Sequence, residues 1–282
     1  MNVPKQRRIS SFAWLAVVTA AACSDITESE DPVVQSGPFR VLEWNITGSA
    51  VTANRTILEG VFASEDADII VLQETGRGAG TISGILVPEY SLVAALNGQD
   101  IWVRNNDRFN VVATGQHAFP GGCNGNDLGS SSVGLEDMAS DGRLLYVYSS
   151  HFCILDGFGG SVDPSPEFSN ENQQEHMCAL MGGVEEAARN GTALIAADFN
   201  SVDLAAGESL VAFLDGSGSL NAGFCESTDV GMREIALIDV TRIMGSGSAS
   251  LYSDPRSVSR DAVGFGQHGY VVTSVDLGMA GG

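Results

Sequence analysis

Several short apolar runs in this chain stop abruptly on a carboxylate, an amide or an imidazole, and this pattern restricts the fold more than any other feature. The clearest case is TALIAADFNS, residues 192–201. Its apolar part, 193–197, is too short for an isolated helix and too apolar for a loop. It predicts a buried strand whose C-terminal end delivers Asp198 and Asn200 to an edge. Period-two alternation puts those two side chains on one side and Phe199 on the other. A carboxylate able to accept a proton or hold a cation then stands beside an amide that both donates and accepts. In isolation the tripeptide would be a strand followed by an Asx-type turn, so the rest of the chain has to decide.

The same ending recurs. FRVLEW (39–44) predicts a strand that finishes on Asn45, and Asn54 then suits the N-cap of a helix carrying Ile57, Leu58, Val61 and Phe62 on one face. DIIVL (68–72) predicts a second strand ending on Gln73 and Glu74, so a βαβ-like opening puts Asn45 and Glu74 at one sheet edge. The runs GILV, YSLVAAL, DIWVR and NVVATG between Thr81 and Val112 predict an antiparallel meander. Residues 131–136 and 143–150 flank Asp141-Gly142 and predict a hairpin whose second strand ends on His151. The strongest helix covers 171–190, with Met177, Leu180, Met181, Val184 and Ala188 forming a core stripe. It runs directly into the 192–201 strand. A short helix near 210–214, a strand at 235–240, a polar loop and a last strand at 270–275 complete the chain, with no internal repeat and no second domain.

Composition restricts the surroundings. With 282 residues and 44% hydrophobic content the chain can bury a substantial core, and 34 glycines with only 17% charged residues favour short strands and many turns. The formal net charge is -21 and the only lysine is Lys5. Such a surface repels nucleic-acid backbones and anionic lipid unless a basic patch or a bound metal intervenes. Residues 1–22 carry a basic head (Lys5, Arg7, Arg8), an apolar stretch and AAAC, the layout of an export signal too short to remain as a membrane span. Cys23 follows small residues as in a bacterial lipoprotein cleavage box, although Ala20 stands where leucine is usual; plain cleavage after Ala22 is the alternative. Cys123, Cys153, Cys178 and Cys225 are an even set, expected as two disulfides of undetermined pairing in an oxidising compartment. No close Cys-x-x-Cys spacing supports zinc. Residues 23–37 read as an acidic tether, lipidated or free, and 38–282 as one folded domain acting as a monomer.

Over residues 39–279 the order of elements and their polar ends resembles the endonuclease/exonuclease/phosphatase superfamily. VLEWNI is similar to its first motif, ending on Asn45, and ADIIVLQET to the strand whose glutamate, Glu74, binds a catalytic divalent metal. YSSHF resembles the strand carrying an active-site histidine, His151. ADFNS matches the pair that orients water and phosphate, Asp198 and Asn200. LIDVTRIMG is similar to the strand whose aspartate, Asp239, supports a terminal histidine. The resemblance implies a four-layer α/β sandwich, two packed mixed β-sheets flanked by helices. It also implies an exported phosphoester hydrolase, a nuclease or general phosphodiesterase, with Mg²⁺ (or Mn²⁺ or Ca²⁺) held by Asn45 and Glu74. Its partner would be a phosphoester, nucleic acid included, with membrane contact only through a lipid on Cys23. The chain departs from the family at the end. Where Ser-Asp-His is expected, TSVDLGM supplies Ser274, Val275 and Asp276. Asp276 then takes a metal-binding role, or His268 in GQHGY reaches in, or the chain is a surface or binding protein that keeps the scaffold with impaired turnover. The glycines around His268 predict a solvent-facing ring, and His117 and His176 are expected at the surface.

Overall fold

Alternation along the first strand sets the layering. The computed structural model describes residues 36–119, 128–152, 169–200 and 231–279, with the side chains at 169–175, 177 and 279 left aside. Along β1 (Phe39–Asn45), Phe39 and Val41 enter one apolar cluster while Leu42 and Trp44 enter another. The second cluster lies under α1 (Arg55–Glu65) and α2 (Ala79–Leu86), where Leu58, Phe62, Ile82 and Leu86 are buried. The first contains inward residues of both sheets, among them Val71, Leu145, Val147, Leu194 and Ile243, so it is the filling between them. A third cluster joins Leu180, Met181 and Val184 of α3 (Ser169–Asn190) to Ala193, Ile195 and Ala197. Helix, sheet, sheet and helix are thus the four layers expected from the sequence.

One sheet has the order β11 (Tyr252–Val258), β12 (Tyr270–Val275), β1, β2 (Ile69–Gln73), β4 (Gln99–Arg104), β3 (Tyr90–Leu96), and the other the order β5 (Phe109–Ala118), β6 (Gly129–Asp137), β7 (Arg143–His151), β8 (Thr192–Asp198), β10 (Thr241–Gly245), β9 (Arg233–Ile238). Each has a central parallel pair: β1 with β2 (Ile69–Gln73), and β7 (Arg143–His151) with β8 (Thr192–Asp198). Helices α1 and α3 lie between the strands of these pairs, as parallel neighbours require. The remaining contacts are antiparallel, including the hairpin of β6 (Gly129–Asp137) with β7 across Asp141 and Gly142, both at positive φ.

Several expectations are corrected. The first three residues of GILV belong to α2, where Ile82 and Leu86 face the cluster at helical spacing, and Val87 follows it in extended backbone. The meander is divided: β3 (Tyr90–Leu96) and β4 (Gln99–Arg104) form a hairpin, whereas β5 (Phe109–Ala118) crosses to the second sheet and pairs with β6. The strand predicted at 235–240 is β9 (Arg233–Ile238), ending two residues earlier, and it is the first half of a hairpin whose second strand, β10 (Thr241–Gly245), follows a turn at Asp239 and Val240. The polar loop after it contains β11 (Tyr252–Val258) and the short α4 (Arg260–Val263), leading to β12 (Tyr270–Val275). Asn54 precedes α1 but makes no side-chain cap; its amide donates back to Ala50 O at 2.9 Å. The leader, the tether up to residue 35 and the predicted helix near 210–214 lie outside the described residues. Cys178 is disulfide-bonded, and the other four cysteines lie outside the described residues.

Candidate active site

At one end of the inter-sheet layer the inward residues change from apolar to polar. Val41 gives way to Glu43 and Asn45 on β1, Val71 to Gln73 on β2, Val147 to Ser149 and His151 on β7, and Ala196 to Asp198 on β8. Register explains the convergence. Asn45 pairs with Gln73, and His151 pairs with Asp198. Both parallel pairs end on the same edge, and the filling brings those edges together.

Asp198 is the centre. Its Oδ2 accepts from Asn45 Nδ2 at 2.7 Å, and the same nitrogen donates to Glu74 Oε1 at 3.0 Å, so one amide bridges two carboxylates. His151 Nε2 stands 3.9 Å from both Glu74 Oε1 and Asp198 Oδ2. Asp198 Oδ1 accepts from the Asn200 N–H at 2.8 Å, while Asn200 Nδ2 donates to Phe152 O at 2.8 Å. Together with Phe152 N–H to Asp198 O and Phe199 N–H to Val240 O, these bonds grip the Asp-Phe-Asn segment from both neighbouring strands.

Backbone strain gathers here as well. Among the described non-glycine residues at positive φ, only Thr47 (48°) and Glu74 (57°) are neither Asp nor Asn, and both flank Asn45 in space. Such conformations cost on the order of 1–3 kcal/mol each and persist where the surroundings over-determine them. Thr47 N–H donates to Asn45 Oδ1 at 3.1 Å. Thr75 N–H, just beyond Glu74, donates to Gly98 O at 3.1 Å. A Cβ on Gly48 would stand 2.1 Å from Glu74 O, so only glycine lets this loop close on that carbonyl.

Three expectations about the end of the chain are revised. Asp276 is not with the other residues. Strand β12 runs antiparallel to β1, so Val275 pairs with Phe39 and Tyr270 with Trp44, which puts Asp276 at the opposite end of the sheet. There its Oδ1 accepts from Gly278 N–H at 2.9 Å. His268, which precedes β12, is at the site: its Nε2 lies 3.8 Å from Asp198 Oδ2. The glycine-rich loop does not free it. Trp44 Nε1 donates to His268 O at 3.3 Å, Phe265 packs edge-on against Trp44, and a Cβ on Gly269 would meet Val258 O at 2.2 Å. Asp239 sits exposed in the β9–β10 turn, and no ion pair or hydrogen bond among the described residues joins it to a histidine. Away from the site, His176 is fully buried and stacked on Phe119, and His117 is half-buried beside Tyr148, where burial lowers its pKa; neither is the free surface histidine expected.

Two residues were missed by sequence reasoning. Glu43 is fully buried, neither carboxylate oxygen has a hydrogen-bond partner, and burial reinforced by Asp198 holds its pKa well above the usual carboxylate range. Its signal was its parity with Val41 and Asn45. Thr241, the register partner of Asp198, is also fully buried with an unpartnered hydroxyl.

The donor set suits a hard cation. Among the described residues no group of three or more His, Cys, Asp and Glu side chains forms a ready metal cage. Mg²⁺, however, commonly takes one or two carboxylates and completes its shell with water and phosphate oxygens. Glu74, with a side chain 38% exposed and Asn45 and Asp198 beside it, offers that kind of set. A separate cavity of about 710 Å³, lined by Arg143, Arg189, Thr192 and Leu277 among others, opens at the other end of β8 and contains none of these residues.

Solved structures share this architecture. An endonuclease/exonuclease/phosphatase from Bacteroides vulgatus superposes with a TM-score of 0.60 at 11% identity, covering 86% of this chain and 100% of that one. D. rerio TDP2 complexed with single strand DNA product gives 0.60 at 14% identity, covering 85% and 99%. The human Nocturnin catalytic domain with bound sulfate anion gives 0.57 at 17%, covering 86% and 95%. No protein-family model and no curated protein matches the sequence. At these identities the likeness is one of fold, and the chain has the endonuclease/exonuclease/phosphatase fold.

Proposed function

We propose that this chain is a divalent-metal-dependent phosphoester hydrolase, and that Asn45, Glu74, His151, Asp198 and His268 carry its chemistry. One observation supports this reading above the others. Asp198 Oδ2 is held by an amide that also holds Glu74, and it is flanked by two imidazoles at 3.9 and 3.8 Å. A structural role alone would not gather two carboxylates and two histidines at the ends of strands from two different sheets.

A hard divalent cation held by Glu74, whose carboxylate Asn45 steadies through Nδ2, would supply Lewis-acid stabilisation of charge developing on the phosphate. The protein groups do the rest. Asp198, with Oδ1 occupied by the Asn200 N–H, presents Oδ2 to a water and accepts its proton as that water bonds to phosphorus and the phosphorus–oxygen bond to the leaving alcohol breaks, the departing oxygen taking a proton from solvent. His151 and His268 present Nε2 donors to the phosphate oxygens from two sides. Asn200 acts mainly by position: its amide is directed at Phe152 O, locking the end of β7 beside β8 so that His151 and Asp198 stay in register.

The motive for a non-catalytic reading was Val275 and Asp276, and these lie at the other end of the sheet. A phosphodiester, nucleic-acid strands included, is the substrate class we favour. The fold is shared with a TDP2 solved with a single strand DNA product, and a cation at Glu74 would offset the chain's negative charge. Export rests on the leader-like first 22 residues.

The test is hydrolysis of bis(p-nitrophenyl) phosphate and plasmid DNA with Mg²⁺ or Mn²⁺. Asp198→Ala is expected to lower the rate on the order of 10²–10⁴-fold, the usual contribution of a positioned base. Silence of the unmodified protein on both substrates, or an unchanged rate in Asp198→Ala, would sink the reading.

A further inference from the structure

Glu43 is the acidic residue beside the site that the chemistry above leaves unused. It faces inward between Val41 and Asn45, pairs in register with Val71 on one side and Val271 on the other, and is fully buried. Neither of its oxygens accepts a hydrogen bond. An ionised carboxylate so placed is strongly destabilising unless an opposite charge accompanies it.

Two further oxygens in this layer are bare. Gln73 is the diagonal neighbour of Glu43 on β2. Its Nε2 donates across the interface to Ala196 O at 3.2 Å and Ser149 Oγ at 3.3 Å, which fixes the amide and leaves Oε1 buried without a partner. Thr241 enters from β10, opposite Asp198 in register, with Oγ1 buried and unpartnered. Strand β1 faces both β8 and β10 across the interface. The layer therefore gathers oxygens from both sheets, and no arginine side chain hydrogen-bonds to Glu43, Gln73 or Thr241.

We propose that Glu43, Gln73 and Thr241 form an inner cation position between the two sheets, distinct from Glu74 and taking a hard divalent ion. The donors are all oxygen, the set that Mg²⁺ and Mn²⁺ accept and softer metals do not select. Glu43 precedes Asn45 by two residues, which sets it roughly 7 Å inward of Asn45 along the strand at 3.2–3.4 Å per residue, whereas Gln73 and Thr241 start from the level of Asn45 and Asp198 in register, so the position lies between those two levels. The alternative occupant is ordered water, which would donate to the same oxygens.

Counting Mn²⁺ separates them. The purified protein is stripped with chelator and titrated with Mn²⁺, the free ion being read by electron paramagnetic resonance, with no substrate present. Two Mn²⁺ are expected for the unmodified chain, one for Glu43→Gln and one for Glu74→Gln. Thr241→Val, which keeps the shape and removes one oxygen, is expected to weaken the inner ion on the order of 10–100-fold. Glu43→Gln removes a buried acid without changing volume, so a melting temperature at or above that of the unmodified protein confirms that it folds. Equal stoichiometry and affinity in the unmodified protein and Glu43→Gln would overturn the inner position and leave water there. The inference does not depend on turnover. Two ions bound by a protein that hydrolyses nothing would sink the hydrolase reading and keep the inner position, whereas a single ion lost only in Glu74→Gln would do the reverse. No binding at all would overturn both.

Discussion

The base role proposed for Asp198 requires its two oxygens to be kept distinct, and single residues accomplish this. Oδ1 is held by the Asn200 N–H, whose left-handed backbone turns it back toward the carboxylate, and Oδ2 is left to Asn45, the two imidazoles and the open edge. At this scale the two ends of β12 make opposite predictions. His268→Ala should lower kcat/KM on bis(p-nitrophenyl) phosphate by on the order of 10²–10³-fold, as losing one positioned donor does. Asp276→Asn should leave it unchanged, because that side chain only accepts from Gly278 N–H at the far end of the sheet. The reverse result would restore the terminal motif expected from the sequence. TSVDLGM and GQHGY both border β12, and only strand direction tells which border meets Asn45.

At the scale of elements, α1 is fastened to its sheet by one buried acid. Glu65, at its last turn, accepts from Tyr270 Oη at 2.6 Å on β12, from Arg40 at 2.9 Å on β1, and from Arg256 on β11. Burial and the adjacent Glu65 charge push the Tyr270 hydroxyl above its ordinary pKa, so it remains a donor at neutral pH. Arg40 and Arg256 are 33% and 48% exposed and can turn to water when the acid is removed. The cost of Glu65→Ala is therefore that of lost hydrogen bonds to a charged group rather than of a stranded charge. A loss of about 1.5–3 kcal/mol in denaturant unfolding is expected, and no measurable change would mean that the helix is held by its apolar face alone. The helices were legible because Leu58 and Phe62, or Leu180 and Val184, recur at helical spacing. GILV was not legible as helix: a short apolar run carries no period, and only packing against Trp44 and its neighbours assigns it.

At the scale of the whole molecule, the site lies where the two sheets present polar ends, and the opposite end must be closed to hold them in place. Arg108 does this from the crossing between β4 and β5. Its guanidinium forms a two-point pair with Asp137 at 3.0 and 3.1 Å, bonds Gly37 O and Pro38 O ahead of β1, and lies over the Phe39 ring. Both partners are almost fully buried, unlike the Glu65 cluster. Asp137→Ala strands a charge away from water and should cost about 3–5 kcal/mol in denaturant unfolding; a cost near that of a surface pair would show that the end is open to solvent. What the sequence determined by itself was local: strands by alternation, helices by their 3.6-residue stripe, and the identity of polar residues where apolar runs stop. That was enough to place Asn45, Glu74, His151, Asp198 and Asn200 at the ends of apolar runs, and the order of those runs carried the resemblance that implied the layered fold. Tertiary structure decided everything set by pairing. It sent β5 to the second sheet, paired the strand predicted at 235–240 with a further strand, Thr241–Gly245, placed His268 at the site and Asp276 away from it, and showed Glu43 to be inward and bare. The physical reason is that strand direction, register and burial belong to pairs of distant segments, and no single stretch of chain encodes them alone.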